Sequence, residues 1–448
     1  MRRRASLRAL LSGALGAALV AACKGPPTAP APPSRASATS SAVAADESPL
    51  TTSKRLALST PGGALPLDRE IEKLERALDK SPDKSDAWVL LGRAWVRKAR
   101  EASDPGFYLN AKACADVALD LAPNNRAATN LIGFMLLSQH KFDDARDLAE
   151  QLLRKAPQDM MAMGTLSDAN LEVGRYPEAT RAAQKMMDLK PNLPSYVRVS
   201  YLEWLRGDTK AALESAHAAI DSGRDPKDPE PRCWALVQAA LIFWHQGDFP
   251  GADAGVQLAL KECADYPPAL ALRGRVALSS GDFPRAVAFL TQSFKASPLA
   301  DTAWLLGDAR AATGDTRGAD EAYARVVKDG RVADLRTLAL FYATKDREHD
   351  EAVRLAEAER RVRDDLYTED ALAWALYRAG RLPEAATASD KANALGTKDA
   401  RLIYHAGAIK IAAGDRPGGE KLVKQALALN PKFDWTGAAE AEKLVAGK

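Results

Sequence analysis

The chain has 448 residues, 46% of them hydrophobic and 27% charged, so it carries enough apolar surface for a sizeable core and is not disordered as a whole. Aromatic residues make up only 6% and alanine is abundant, a balance that suits close helix packing better than sheet. The formal charge of +3 includes Arg2, Arg3, Arg4 and Arg8 in the first 22 residues, which hold no acid; the remainder stands at −1, without the concentrated basic face that nucleic acid requires.

In chain order, residues 1–22 read as a signal peptide: a basic start from Arg2 to Arg8, then the apolar run Ala9 to Ala22. That run is shorter than the ~20 residues needed to cross a bilayer. Val20-Ala21-Ala22-Cys23 resembles the bacterial lipobox, which implies a lipid on the Cys23 thiol and a membrane anchor; the other reading is an ordinary secretory signal that ends near a cysteine. Lys24 is not the aspartate associated with inner-membrane retention, so the resemblance points to the outer membrane. Arg3-Arg4 is faintly similar to a twin-arginine signal, and the choice of export route stays open. Residues 23–65, rich in Pro, Ala, Ser and Thr with Pro26, Pro27, Pro30, Pro32 and Pro33, read as a tether that buries no core.

From residue 66 the chain repeats. Gly174, Gly207, Gly247, Gly281, Gly314, Gly380 and Gly414 are each followed by Asp or Arg and, five residues on, by Ala179, Ala212, Ala252, Ala286, Ala319, Ala385 or Gly419. The spacings are 33, 40, 34, 33, 66 and 34, so one unit near Asp346 has lost its glycine and another holds an insertion. Pro123, Pro157 and Pro191, 34 apart, form a second ruler. Glycine closes the first helix of each pair in the left-handed conformation, and proline starts the next unit. Insertions are expected at Lys98 to Gly106 and Asp221 to Pro231, and a degenerate unit at 333–364.

Ala87-Trp88-Val89-Leu90-Leu91-Gly92-Arg93-Ala94-Trp95 resembles the opening of a tetratricopeptide repeat (TPR) first helix, with similar pieces at Trp304-Leu305-Leu306-Gly307 and Tyr404-His405-Ala406-Gly407. The units from Asp370 to Pro431 look like repeats common in exported bacterial TPR proteins. The resemblance implies an all-α, right-handed α-solenoid of about ten helix-turn-helix units over 66–432, preceded by one extra helix from Leu67 to Leu78 and followed by a capping segment at 433–448. It further implies a scaffold that binds a protein or peptide partner at the bacterial envelope, for secretion, pilus or cell-wall machinery. The alternative is an accessory or catalytic role in cell-wall glycan metabolism, with aromatic rings stacking on sugars.

TPR geometry turns a set of first-helix positions into the concave groove, and here these include Phe134, Tyr201, Trp204, Trp234, Trp244, Trp304, Phe341, Tyr367, Trp374, Tyr377 and Tyr404. The competing reading is core packing, since a slip of one residue rotates a helix face by about 100°. Trp88 and Trp95 fall on the core side. A Lys/Asn carboxylate clamp is not reproduced at Val89, Arg93, Asn130 and Phe134. Cys233 and Cys263, at the two ends of one helical hairpin, read either as a disulfide or as two unpaired thiols, and Cys114 as a small core residue. The five histidines are scattered, and no zinc, Walker, nucleophile-elbow or dinucleotide motif occurs. The reading is a non-enzyme without metal or cofactor.

Overall fold

The computed structural model describes residues 48–446; the segment read as a signal peptide, Cys23 and the part of the expected tether up to residue 47 lie outside them. The described residues form helices and no strand. Two helices lead, α1 (Pro49–Ala57) and α2 (Pro66–Lys80). Ten antiparallel pairs follow: α3 (Ser85–Glu101) with α4 (Phe107–Leu121), α5 (Arg126–Ser138) with α6 (Phe142–Lys155), α7 (Met160–Glu172) with α8 (Tyr176–Leu189), α9 (Leu193–Leu205) with α10 (Thr209–Ser222), and α11 (Glu230–His245) with α12 (Phe249–Glu262). The series continues with α13 (Pro267–Ser279) and α14 (Phe283–Ala296), α15 (Ala300–Ala312) and α16 (Thr316–Ala333), α17 (Leu335–Thr344) and α18 (His349–Arg360), α19 (Leu366–Arg378) and α20 (Leu382–Ala392), and α21 (Ala400–Ala412) and α22 (Arg416–Leu429). Helix α23 (Gly437–Val445) closes the array, with Phe433, Ala438 and Ala441 buried against it.

All ten turns between the paired helices carry a residue at positive φ, and the α17–α18 turn carries a second, Glu348, at 52°. Of the ten, seven are the glycines of the ruler, at +72° to +97°. The other three are Ser103, His140 and Asp346, at 49°, 58° and 51°, so the unit that lost its glycine keeps the turn with an aspartate, which tolerates this region. The aspartate of each Gly-Asp pair has its own task. Asp208, Asp248, Asp282, Asp315 and Asp415 accept a backbone N–H three residues on and so cap the second helix. One dipeptide thus ends one helix and starts the next. Ala179, Ala212, Ala252, Ala286 and Ala385 are fully buried where the two helices cross, because only a small side chain permits that approach.

Part of the segment expected to be a tether is helical. Residues 49–57 form α1, started by Ser48 as N-cap and Pro49 in the first turn. It docks on α4, with the Ala57 carbonyl accepting from Trp95 Nε1 at 3.0 Å and the Leu56 carbonyl from Asn110 Nδ2 at 2.8 Å. One further helix therefore precedes the extra lead helix, and it packs on α4. Trp88 and Trp95 are core residues, 1% and 0% exposed.

The solenoid winds tightly enough that successive turns meet. Six pairs along, the end of one first helix faces the start of another. Asp364 N donates to the Glu172 carbonyl at 3.1 Å, and Leu366 N to the Tyr176 hydroxyl at 2.7 Å. The same seam continues with Thr397 Oγ1 to the Leu205 carbonyl at 2.5 Å, Asn430 Nδ2 to the Trp244 carbonyl at 2.8 Å, and Ser297 Oγ to the Ser103 carbonyl at 3.3 Å. At Gly174 and Gly207 an added Cβ would lie 2.4 Å from the carbonyl oxygens of Asp364 and Gly396, so these two glycines are needed for the approach as well as for the turn. Buried ions add to the seam: Arg363 lies 2.7 Å from Glu172.

Candidate functional site: a lumen lined by the first helices

Tight winding converts the concave groove into a narrow lumen with three connected chambers. The central chamber, about 200 Å³, is lined by α9, α11, α13, α15, α17, α19 and α21, a full turn of first helices. An N-terminal chamber of about 300 Å³ lies between the α3–α4 turn, α5, α11, α13 and α15. A C-terminal chamber of about 310 Å³ is bounded by α11, α13, α15 and the segment from Lys432 into α23. Arg275 and Asp301 line all three and are ion-paired at 3.0 Å.

Of the aromatic residues read as groove-facing, Tyr201, Trp204, Trp234, Trp304 and Tyr367 line the central chamber. Phe134 lines the N-terminal chamber together with Trp234, and Trp244 the C-terminal one together with Trp304. Trp204 packs near-parallel to Tyr201 and to Tyr367, with centroids 6.0 and 6.3 Å away. Because Tyr201 and Trp204 belong to α9 and Tyr367 to α19, this stack crosses from one turn of the solenoid to the next.

Phe341, Trp374, Tyr377 and Tyr404 line none of the three chambers. Phe341 is 0% exposed against Trp304, and Trp374 and Tyr404 are each 2% exposed. Trp374 lies flat on His405, 4.0 Å between centroids, and His405 bonds Asp370 at 2.9 Å. Tyr377 stacks on Trp374 at 4.9 Å. These four pack between neighbouring repeats because α17, α19 and α21 present them sideways.

The lumen also holds charges that hydrophobic periodicity did not bring out. Arg336 pairs with Asp365 at 3.0 Å, and Arg275 lies 5.1 Å over the Trp244 ring. His245 faces Asp399 at 3.6 Å. Burial holds the His245 imidazole down to about 4; Asp399 pulls the other way, and Arg275 and Arg401 add to the depression. Burial pushes the Asp399 carboxyl up, but His245, Arg401 and the backbone N–H groups of Arg401 and Leu402 outweigh it and hold it below its ordinary value. A signal for one of these groups was present: Arg273 and Arg275 are the only charges in the helix Pro267–Ser279, and a charge in so apolar a helix marks a polar lumen.

Cys233 and Cys263 are joined in the structure, with Cα atoms 6.3 Å apart, tying α11 to the end of α12. Cys114 is buried, and burial raises its thiol well above the usual range. Asn130, at one of the positions where the carboxylate clamp is not reproduced, donates to Asp159 at 2.8 Å. Among the described residues no group of His, Cys, Asp and Glu could hold a metal ion, and no helix is long and apolar enough to cross a membrane.

The tetratricopeptide repeat family profile matches residues 135–194 and 272–331. The fold is a TPR-type α-solenoid. The two matched stretches belong to one array of ten helix pairs, seven of whose turns are closed by a glycine at positive φ. No curated protein matches the chain. Among solved structures, the chain is similar to PilW, described as a widely conserved type IV pilus biogenesis factor, at 16% identity and TM-score 0.40 over 48% of this chain and 97% of that one. It is similar to a thermophilic TPR protein of Thermus thermophilus at 18% identity and TM-score 0.36, over 43% and 97%. For yeast Tom70 the values are 12% and 0.33, over 81% and 97%.

Proposed function

We propose that this chain is a non-catalytic scaffold that holds a segment of a partner protein inside its lumen, and that it does so at the bacterial envelope, anchored through a lipid on Cys23. The observation that carries the binding reading is the lumen itself, a preformed passage walled by rings and paired charges and kept open by the seam between turns. Aromatic side chains supply large contact area at small entropic cost, and a ready-made cavity spares the cost of ordering. The lining offers positions for orientation, from Arg275, Asp301 and Gln238, rather than a nucleophile beside a base. Glycan stacking is less favoured, because Trp204 is only 5% exposed and packs against Tyr201, His245 and Tyr367.

Two experiments test this. Selection from an unbiased displayed peptide library should yield binders, and Leu241→Trp, which fills the passage between the central and N-terminal chambers, should weaken them at least tenfold, or about 1.4 kcal/mol. Absence of binders, or binding indifferent to the filled lumen, overturns the scaffold reading. Cys23→Ser should move the protein from the membrane to the soluble fraction, and unchanged fractionation removes the anchor.

A further inference from the structure

We propose that the chain carries its own occupant of the lumen: residues 432–445 lie across the C-terminal chamber as an autoinhibitory strap, which a partner segment with two aromatic side chains flanking an acid displaces. This rests on the lumen as a peptide site and adds the chemistry of the peptide. Lys432, Phe433, Asp434 and Trp435, which link α22 to α23, all line the chamber. Helices far apart in sequence grip them. From α13, the Ser279 hydroxyl donates to the Lys432 carbonyl at 3.2 Å while accepting from Trp244 Nε1 at 2.9 Å. From α14, Phe283 meets the Trp435 ring edge-on at 5.1 Å. From α21, Tyr404 lies 5.3 Å from the Phe433 ring, which is 5% exposed.

The strap itself shows what the chamber accepts. Tyr404 and Phe283 take rings, Ser279 takes a backbone carbonyl, and Arg401, which lines the same chamber, faces negative charge. Burial pulls the Arg401 guanidinium down, but Asp399, Asp370 and Asp434 outweigh it and raise it, so the acid between the two strap rings is one of three that steady this cation. Asp434 Oδ1 also accepts from Thr436 N and Gly437 N at 3.0 and 2.7 Å, which turns the strap into α23. When the strap leaves, these groups are freed together, and a segment of the same chemistry meets all of them again.

The strap is also the part of this wall that gives way first. It lies outside the ten pairs, so its departure unpairs no repeat. Its fasteners are open to solvent: Trp435 is 38% exposed, and so is 41% of the Glu440 side chain, which accepts from Arg378 at 2.8 Å and from the Tyr404 hydroxyl at 3.0 Å. Asn430 and Thr397, which tie the seam between turns, are 0% and 4% exposed. Helix α23 has nine residues, too few to be stable undocked, and segments with few buried apolar contacts and exposed hydrogen bonds open at the low end of a protein's stability range.

The test supplies the strap in trans. A capped synthetic peptide of residues 432–446 is titrated by calorimetry into the chain ended after Pro431, whose folding a thermal melt establishes, and into the full chain. Saturable binding to the shortened chain is expected, at least tenfold weaker binding to the full chain, because its site is occupied, and at least tenfold weaker binding of the peptide with Phe433 and Trp435 replaced by alanine. A peptide that fails to bind the folded shortened chain, or binds the full chain equally well, overturns the proposal. Trp435→Ala in the full chain needs no truncation: it should speed amide hydrogen exchange in α23 at least tenfold and leave α19 to α22 unchanged, and α23 exchanging as in the parent overturns the proposal as well. If library-selected peptides bind while the strap peptide does not, the lumen reading stands and only this one falls; if neither binds, both fall.

Discussion

At the scale of single residues, the buried histidine of the lumen has the clearest measurable consequence. An unfolded histidine titrates near 6.5, whereas His245 is held to about 4. A depressed value means that folding favours the neutral ring, so its contribution is fully present above pH 6.5 and is lost as pH falls from there towards 4. His140, also lowered to about 4, by burial and by Arg363 and Arg336, acts in the same direction. These two imidazoles pull the melting temperature down between pH 6.5 and pH 4, while Glu75, Glu172 and Asp308, whose carboxyls burial raises to about 7, 7 and 6, pull it the other way; His245→Gln should remove one downward contribution and so raise the variant relative to the parent as pH falls, and a profile parallel to the parent's would show that His245 does not contribute. Residue type also explains the sorting of the aromatics. Trp204 and Trp374 are both tryptophans on first helices, yet one lines the lumen and the other is stacked on His405. The difference is a rotation of the helix face, which composition and spacing do not encode.

At the scale of helices and turns, the repeat was legible because its markers are local. A glycine with positive φ followed by an N-capping aspartate needs only neighbouring residues to do its work, so its period survives in the sequence. The turns at Ser103, His140 and Asp346 were harder to read, since serine, histidine and aspartate fill a left-handed position only with the support of the surrounding packing. Helix α1 was hidden for a similar reason: nine residues are too few to be stable alone, and its docking on α4 supplies what propensity does not. The two uses of glycine can be separated by mutation. Gly380→Ala meets no neighbour within 4 Å and should cost only the backbone strain, about 1–2 kcal/mol. Gly174→Ala adds a clash with the Asp364 carbonyl and should lower the melting point distinctly further. Equal losses in chemical denaturation would mean that the seam yields without cost. Reduction of the Cys233–Cys263 bond, which closes a loop of 30 residues, should lower stability by roughly 3–4 kcal/mol in the chain-entropy account.

At the scale of the whole molecule, the seam changes the kind of solenoid this is. In an open repeat array each unit touches only its neighbours, and stability is a sum of local terms. Here repeats three to five are hydrogen-bonded to repeats nine, ten and the C-terminal segment. The array should therefore melt in one calorimetric transition, and Asn430→Ala, by removing one tie, should let the C-terminal helices exchange amide hydrogens earlier than the rest. Separate transitions in the parent chain would contradict this. Nothing in the sequence announces a contact between residues 190 apart, because no local pattern is required at either end; the family resemblance conveyed the groove but not its closure into a lumen.

The seam also sets a condition on the order of events during synthesis. The Tyr176 hydroxyl waits for the backbone of Leu366, 190 residues further on, and the Leu205 and Trp244 carbonyls wait about as long. At ribosomal rates of about 5–20 residues per second, the first turn exists for roughly 10–40 s with its rim unpaired. In that interval the upper rim of the nascent coil is a row of solvent-facing acceptors, and water, or a chaperone, stands in for the second half of the chain.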